Sequence, residues 1–407
     1  MSKSLKVAVL SISVVVVLVA VVGGLGVKAS SDDGAYRQLG VYSEVLSRIR
    51  TEYVEDPNIP KVTDGALHGL LESLDANSSY LNPAQYKQYK EHKSDGKGTI
   101  GAAVSKRYGY AAVISTLPGG PADKAGVDTG DIIEAIEGRS TREMSLAEVN
   151  TLLSGQPGSN VSISIVRTRK VEPQKLTITR TIVSVPPATD KLLEDGIGYI
   201  RVDALTKGKA QEIAAKIKDL QKQGAKKLVL DLRNVAIGEE EEGIAAANLF
   251  LNHGVITYIQ GQKYGRKTFD ADPSKAITNL PPMPLAVLVN RGTAGAAEIV
   301  AAAVLDNARG DVLGDKTFGV GSVQNLINMP DGSALILSVA KYYTPNGKAI
   351  QDSAVTPNIL VADQDDEAVL PDENETESVP PEERKTNKND EQLKRAIDVL
   401  KAKPLKA

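Results

Sequence analysis

Between residues 284 and 300, the apolar run "PLAVLV" passes into "NRGTAGAAEIV", a turn followed by small helix-forming residues. Such a strand-to-helix turn can present a nucleophile at a helix N-terminus, but position 295, where it would stand, is glycine. The hydroxyls near this stretch are Thr293 and, further on, Ser322, with Lys316 as a base. The chain has no Cys, which removes thiol catalysis, disulfides and Cys-based zinc sites. His68, His92 and His253 are scattered without ligand-like spacing, which argues against a His-based metal site or a Ser-His-Asp triad. No metal or cofactor is expected.

The elements that would position these residues can be read from patterning. A chain of 407 residues is long enough for two or three domains with their own cores. Its net charge of −3 and sparse aromatics give no support to nucleic-acid binding. Lys3 and Lys6 precede an apolar stretch over 7–27, long enough to cross a bilayer. It reads as a signal anchor, with a signal peptide cleaved after Ala29 as the alternative. Either way the remainder is exported, into the periplasm or another extracytoplasmic space, and the anchored form sits in the inner membrane.

Residues 35–54 place Leu39, Tyr42, Val45, Leu46, Ile49 and Tyr53 at helical spacing, and 64–74 predicts a second helix with Asp64 as N-cap. From 98 to 180 the pattern becomes short strands and Gly-rich turns around one helix, "SLAEVNTLLSG". From 186 to 363 strands and helices alternate, which predicts an α/β layer around a mixed sheet. "KLVLDLRN" (227–234) reads as a strand buried on both faces. Residues 363–390 carry eleven acidic against three basic residues and three prolines, the composition of a disordered segment. A short amphipathic helix with Leu393, Ile397 and Leu400 ends the chain, free to dock back or to meet a partner.

The 98–180 region, with its small-residue turn before "AGVDTGDIIEAIEG", resembles a PDZ domain. Such a module captures a terminal carboxylate on backbone N–H groups and adds the peptide as a strand. By that resemblance Thr99, Ile100, Gly101 and Ala102 form the carboxylate loop, and Val149 and Leu153 line the groove. The alternative is a small β-domain whose groove is closed.

Taken in order, "SLDANSSYLNP", the PDZ-like region, "LVLDLRN", "VNRGTAGAAEIVAAA", "GDKTFGVGSVQ" and "KYYTPNGKAIQ" resemble the carboxy-terminal processing peptidases, or tail-specific proteases. The resemblance runs from about residue 36 to 363. It implies a multidomain α+β protein: a helical N-terminal region (35–95), a PDZ-like domain (98–180) and a peptidase-type core of ClpP/crotonase-like α/β architecture (186–363). An acidic linker (364–390) and a C-terminal helix (391–407) follow. Active members use a serine–lysine dyad, the lysine taking the serine proton and backbone amides holding the oxyanion. On this chain the serine position is Gly295, the lysine position is Val320, and the oxyanion turn presents Ile237 where the family has glycine. Gln324, which supports the lysine in active relatives, remains. Thr293, Ser322 and Lys316 match residues that active relatives also carry, so they read as scaffold and not as replacements.

The expected protein is therefore an exported, inactive homologue that binds C-terminal or extended segments of envelope proteins as an adaptor or regulator. Its N-terminal helices would pair with another copy or with an active relative. The competing expectations are a serine-type endopeptidase working with unusual residues and a structural envelope protein with a closed groove. The run Glu239–Glu242 is expected to place negative charge close to where an oxyanion would form.

Overall fold

The computed structural model describes residues 33–92, 96–167, 170–277, 283–362 and 390–404. The apolar stretch at 7–27 and the acidic stretch at 363–389 lie outside these residues. Chain contacts divide it into a first unit ending at Ala66 and a second running from Leu67.

In the first unit the helix Asp33–Glu52 carries an apolar stripe that stays exposed at Leu39, Tyr42 and Val45, and Tyr53 just beyond its end is exposed too. The next helix begins at Ile59, earlier than the sequence reading placed it, and continues to Glu72. Asn58, not Asp64, caps it, its Oδ1 accepting from the Lys61 amide at 3.1 Å. Pro60 fits the first turn because its missing N–H is not needed there.

The second unit begins its ordered framework with the short strand Ser79–Leu81 and the helix Pro83–His92. That helix was not expected, although a reciprocal cap marks its start. Gln85 N–H donates to Asn82 Oδ1 and Asn82 N–H to Gln85 Oε1, each at 3.0 Å.

The β-domain follows, its main sheet ordered Ala102–Arg107, Tyr110–Thr116, Ile132–Ile136, Asn160–Arg167, Lys170–Thr179. The alternation in "NVSISIVR" buries Val161, Ile163 and Ile165 on one face. Ser145 caps the helix Leu146–Leu153, its Oγ accepting from Glu148 N–H at 3.2 Å.

The core holds a six-stranded mixed sheet among the described residues, ordered Thr189–Leu193, Ile197–Arg201, Lys227–Asp231, Leu285–Val289, Asp311–Gly314, Ile359–Leu360. All neighbours are parallel except the first pair. Lys227–Asp231 and Leu285–Val289 are buried at every position, which explains their near-continuous apolar runs. One face packs on Lys209–Lys222, Glu240–Asn248 and Ala296–Asp306, around Phe250, Ile213 and Val300.

The C-terminal helix Glu391–Ala402 belongs to the opposite cluster, where Ala396 and Leu400 pack with Val229, Ala286, Leu288 and Leu313. It docks back on its own chain. A second, antiparallel sheet joins Ser79–Leu81, Ala334–Tyr343, Val255–Gln260 and Lys267–Asp270, with Ser322–Asn328 paired along Ala334–Tyr343.

Candidate functional site

Gly295 ends the turn after Leu285–Val289 and stands as N-cap of Ala296–Asp306, with φ 59° and ψ −119°. Few L-residues adopt such a backbone, and glycine does so without penalty. A Cβ built there meets nothing within 4 Å, so the position is open as well as twisted. The turn itself is tightly held. Asn290 Oδ1 accepts from the amides of Gly292 and Asn234 at 3.0 and 2.9 Å, and Ala294 N–H donates to Val235 O at 2.9 Å. At Gly292 a Cβ would lie 2.3 Å from Asn234 Oδ1, so a larger residue would have to displace that side chain from Asn290 Nδ2, which donates to it at 2.9 Å.

The loop carrying Val320 is brought against this turn by one side chain, Glu298. It is fully buried. Its Oε2 accepts from Gly295 N–H at 3.0 Å and from Val320 N–H at 2.8 Å, so both amides share one oxygen. Its Oε1 accepts from Gly319 N–H at 2.8 Å and from the Thr317 hydroxyl. Burial pushes the Glu298 carboxyl up to about 7, against these donors, which favour the charged form. The sequence reading assigned Glu298 only to the helix. Its signal was visible, a glutamate three residues after the helix N-cap.

The structure thus brings the backbones of Gly295 and Val320 together on one Glu298 oxygen. Thr293 is fully buried, its hydroxyl donating to Leu232 O at 2.8 Å and accepting from Asn290 N–H at 3.0 Å. Ser322 Oγ accepts from Asn77 Nδ2 at 3.0 Å and from Gln324 Nε2 at 2.6 Å. Lys316 is exposed. Gln324 therefore serves Ser322 and not a lysine.

Ile237 is half-buried, and its segment is pinned to Leu205. Leu205 N–H donates to Ile237 O and Glu239 N–H to Leu205 O, each at 2.9 Å. The glutamates divide their tasks. Glu242 turns away and accepts from the Gly208 and Ala210 amides at 2.9 and 3.0 Å, capping Lys209–Lys222. Burial first, and then the charges of Glu241 and Glu239, raise the Glu240 carboxyl. Burial first, and then the charges of Glu240 and Glu241, raise the Tyr342 hydroxyl.

Behind the turn lies a buried ion cluster that the apolar reading of 227–234 did not anticipate. Asp231, with no exposed surface, receives Arg233 through Nε and Nη2, Arg201 at 3.4 Å and the Tyr199 hydroxyl at 2.8 Å. Burial alone would raise its carboxyl, but the Arg233 and Arg201 guanidiniums hold it below the usual range. Arg233 also reaches Asp390 Oδ2 at 2.8 Å, at the start of the C-terminal helix.

In the β-domain, Thr99 N–H donates to Thr181 O at 2.8 Å, and Thr99 Oγ1 accepts from Gly101 N–H at 3.3 Å. The carbonyls of Ile100 and Gly101 accept from Ala122 and Leu117 amides, each at 2.8 Å. Gly101, at φ 72°, backs onto Pro121 and Val183. Ala102 begins the outer strand Ala102–Arg107, which is paired on one side among the described residues. Val149 has no exposed surface and Leu153 almost none, since both pack in the domain's core. Groove walls from these two residues require the helix to part from the strand. Lys106, on that strand, ties it to the turn that leads into the helix, its Nζ donating to the carbonyls of Thr141 and Met144 at 2.8 Å.

Comparison with known proteins matches residues 196–361 to the model of peptidase family S41 and 113–167 to that of the PDZ domain. The carboxy-terminal-processing protease of Bartonella bacilliformis is 34% identical over 82% of this chain and 77% of its own. The carboxy-terminal processing protease CtpA of Bacillus subtilis is 32% identical over 84% of this chain and 72% of its own. Among solved structures, the photosystem II D1 C-terminal processing protease superposes with a TM-score of 0.65 at 27% identity, over 79% of this chain and 92% of that one.

Proposed function

We propose that this chain, which belongs to peptidase family S41 and its carboxy-terminal processing proteases, binds protein C-terminal or extended segments without cutting them. The observation that carries this reading is the pair of amides at Gly295 and Val320 on one Glu298 oxygen, a frame whose two backbone positions carry glycine and valine and whose one side-chain hydroxyl donor, Thr317, is spent on Glu298 itself. Hydroxyl attack needs a base within reach of the hydroxyl proton. Thr293 and Ser322 are each committed to other partners, and neither has a lysine among them.

Binding would use the β-domain. Thr99, Ile100, Gly101 and Ala102 form its carboxylate loop, and Ala102–Arg107 is the strand along which a peptide adds. Opening at Val149 and Leu153 would complete the groove. The exposed stripe of Leu39, Tyr42, Val45 and Tyr53 supports pairing of the N-terminal helix with another copy or an active relative. Export with anchoring through 7–27 fits an adaptor or regulator in the envelope. Among the described residues no helix is long and apolar enough to cross a membrane.

Purified protein offered fluorescent peptides with free or amidated C-termini is expected to bind the free acids more tightly and to leave both intact. Specific cleavage abolished by Thr293→Ala or Ser322→Ala would overturn this reading in favour of an unusual endopeptidase. A second reading, a structural protein with a closed groove, is favoured by the burial of Val149 and Leu153. It predicts no peptide binding while partners are still recovered through the N-terminal helices.

A further inference from the structure

The outer strands of the described sheets are guarded in different ways. Thr189–Leu193 carries Asp190 and Lys191, Lys267–Asp270 is charged at both ends, and Ala102–Arg107 ends in Lys106 and Arg107. Lys170–Thr179 contains Glu172 and Lys175, while Ile359–Leu360 and Ser79–Leu81 are too short to template a partner. Charge and shortness are the usual protections of an unpaired edge. Ser322–Asn328 has neither. Its seven residues, "SVQNLIN", carry no charge, and it pairs only with Ala334–Tyr343 among the described residues. Gln324, Asn325, Leu326 and Asn328 are exposed, and Met329 just beyond is 39% exposed. The register shift between Val323 and Gln324 twists only the first end.

We propose that this edge is a second strand-addition site, which takes an uncharged extended segment of another polypeptide. A row of outward N–H and C=O groups at strand spacing is matched by another strand and by few other ligands. The absence of charge gives no attraction to acidic or basic segments, and exposed Leu326, with Met329 just beyond the strand, offers apolar contact to side chains of the added segment. The edge starts two residues after Val320, whose amide shares the Glu298 oxygen with Gly295. A segment added there would run out beside the vacant turn. This rests on the reading that the chain binds extended peptides, and it adds a place of capture separate from the carboxylate loop.

The test uses the full chain and a fluorescent ten-residue peptide of alternating Ser and Val with an amidated C-terminus, which cannot use a carboxylate loop. Binding by anisotropy is expected, with slowed amide hydrogen exchange across 322–328. Leu326→Lys and Asn325→Lys, both at exposed positions, are expected to weaken it at least tenfold each while circular dichroism stays unchanged. Wild-type affinity in both variants, or no change of exchange in 322–328, would overturn the proposal. Concentration-dependent protection of 322–328 without peptide, with dimers in sedimentation, would also overturn it by assigning the edge to a second copy. If a free-acid version of the peptide binds and 322–328 stays unprotected, the carboxylate-loop reading survives and the edge proposal fails. If neither form binds, both fail.

Discussion

At φ 59° a serine in place of Gly295 would be strained by about 1–3 kcal/mol, yet it would meet no neighbour within 4 Å. Gly295→Ser is therefore expected to fold, with its unfolding free energy in urea lowered by about 1–3 kcal/mol. The pair Gly295→Ser with Val320→Lys is expected to leave peptide hydrolysis near background, because the segment holding Ile237 stays tied to Leu205. Glu298 makes a different prediction. Its folded-state carboxyl is raised to about 7 from an ordinary 4.5, so the fold favours the protonated form. That contribution is fully present below about pH 4.5 and is lost as pH rises through about 7. Over this window the loss amounts to no more than about 3.5 kcal/mol. Urea unfolding measured from pH 4.5 to 8 should show the decline in the wild type and a flatter profile in Glu298→Gln. An equal slope in both would remove Glu298 as its source.

At the scale of elements, the core was legible because periodicity and burial agree. "LAVLV" and "KLVLD" are buried at every position, and the helix after the turn was readable from its small residues. Legibility failed where a cap or a long-range partner decided. Asn58 and Pro60, not Asp64, start the Ile59–Glu72 helix, and the Asn82–Gln85 cap starts a helix that composition alone did not suggest. The roles of Glu298 and Asp231 depend on partners far away in sequence, which no local pattern reveals. The C-terminal helix is clamped in the same way. Asp390 caps it through Leu393 N–H and meets Arg233, while Lys227 Nζ donates to Leu400 O at 2.6 Å. Asp390→Ala is expected to raise amide exchange across 391–402 and to cost about 1–2 kcal/mol. Arg233→Ala should cost more, about 3–5 kcal/mol, since it leaves the buried Asp231 poorly paired. Equal effects would mean that Arg233 acts mainly through the helix.

Across the whole of the second unit, a polar junction joins the β-domain to the Pro83–His92 helix. Glu148, nearly buried, accepts from Gln85 Nε2 at 3.0 Å and from Arg139 Nη2 at 2.7 Å. Glu148→Ala is expected to speed exchange in 83–92 and 146–153 together and to cost about 1–3 kcal/mol. A response confined to 146–153 would show that the two elements open independently. The Glu298 frame has a further consequence, for how such a sequence changes over generations. Because a carboxylate holds the main chain at 295 and 320 through their amides, side chains can change at both positions without releasing that hold, the cost being the backbone strain at 295. Drift at 298 has no such freedom, since it would release four donors at once. In lineages that have given up hydrolysis, substitutions should therefore accumulate at 295 and 320 while the glutamate persists, so that loss of chemistry long precedes loss of shape.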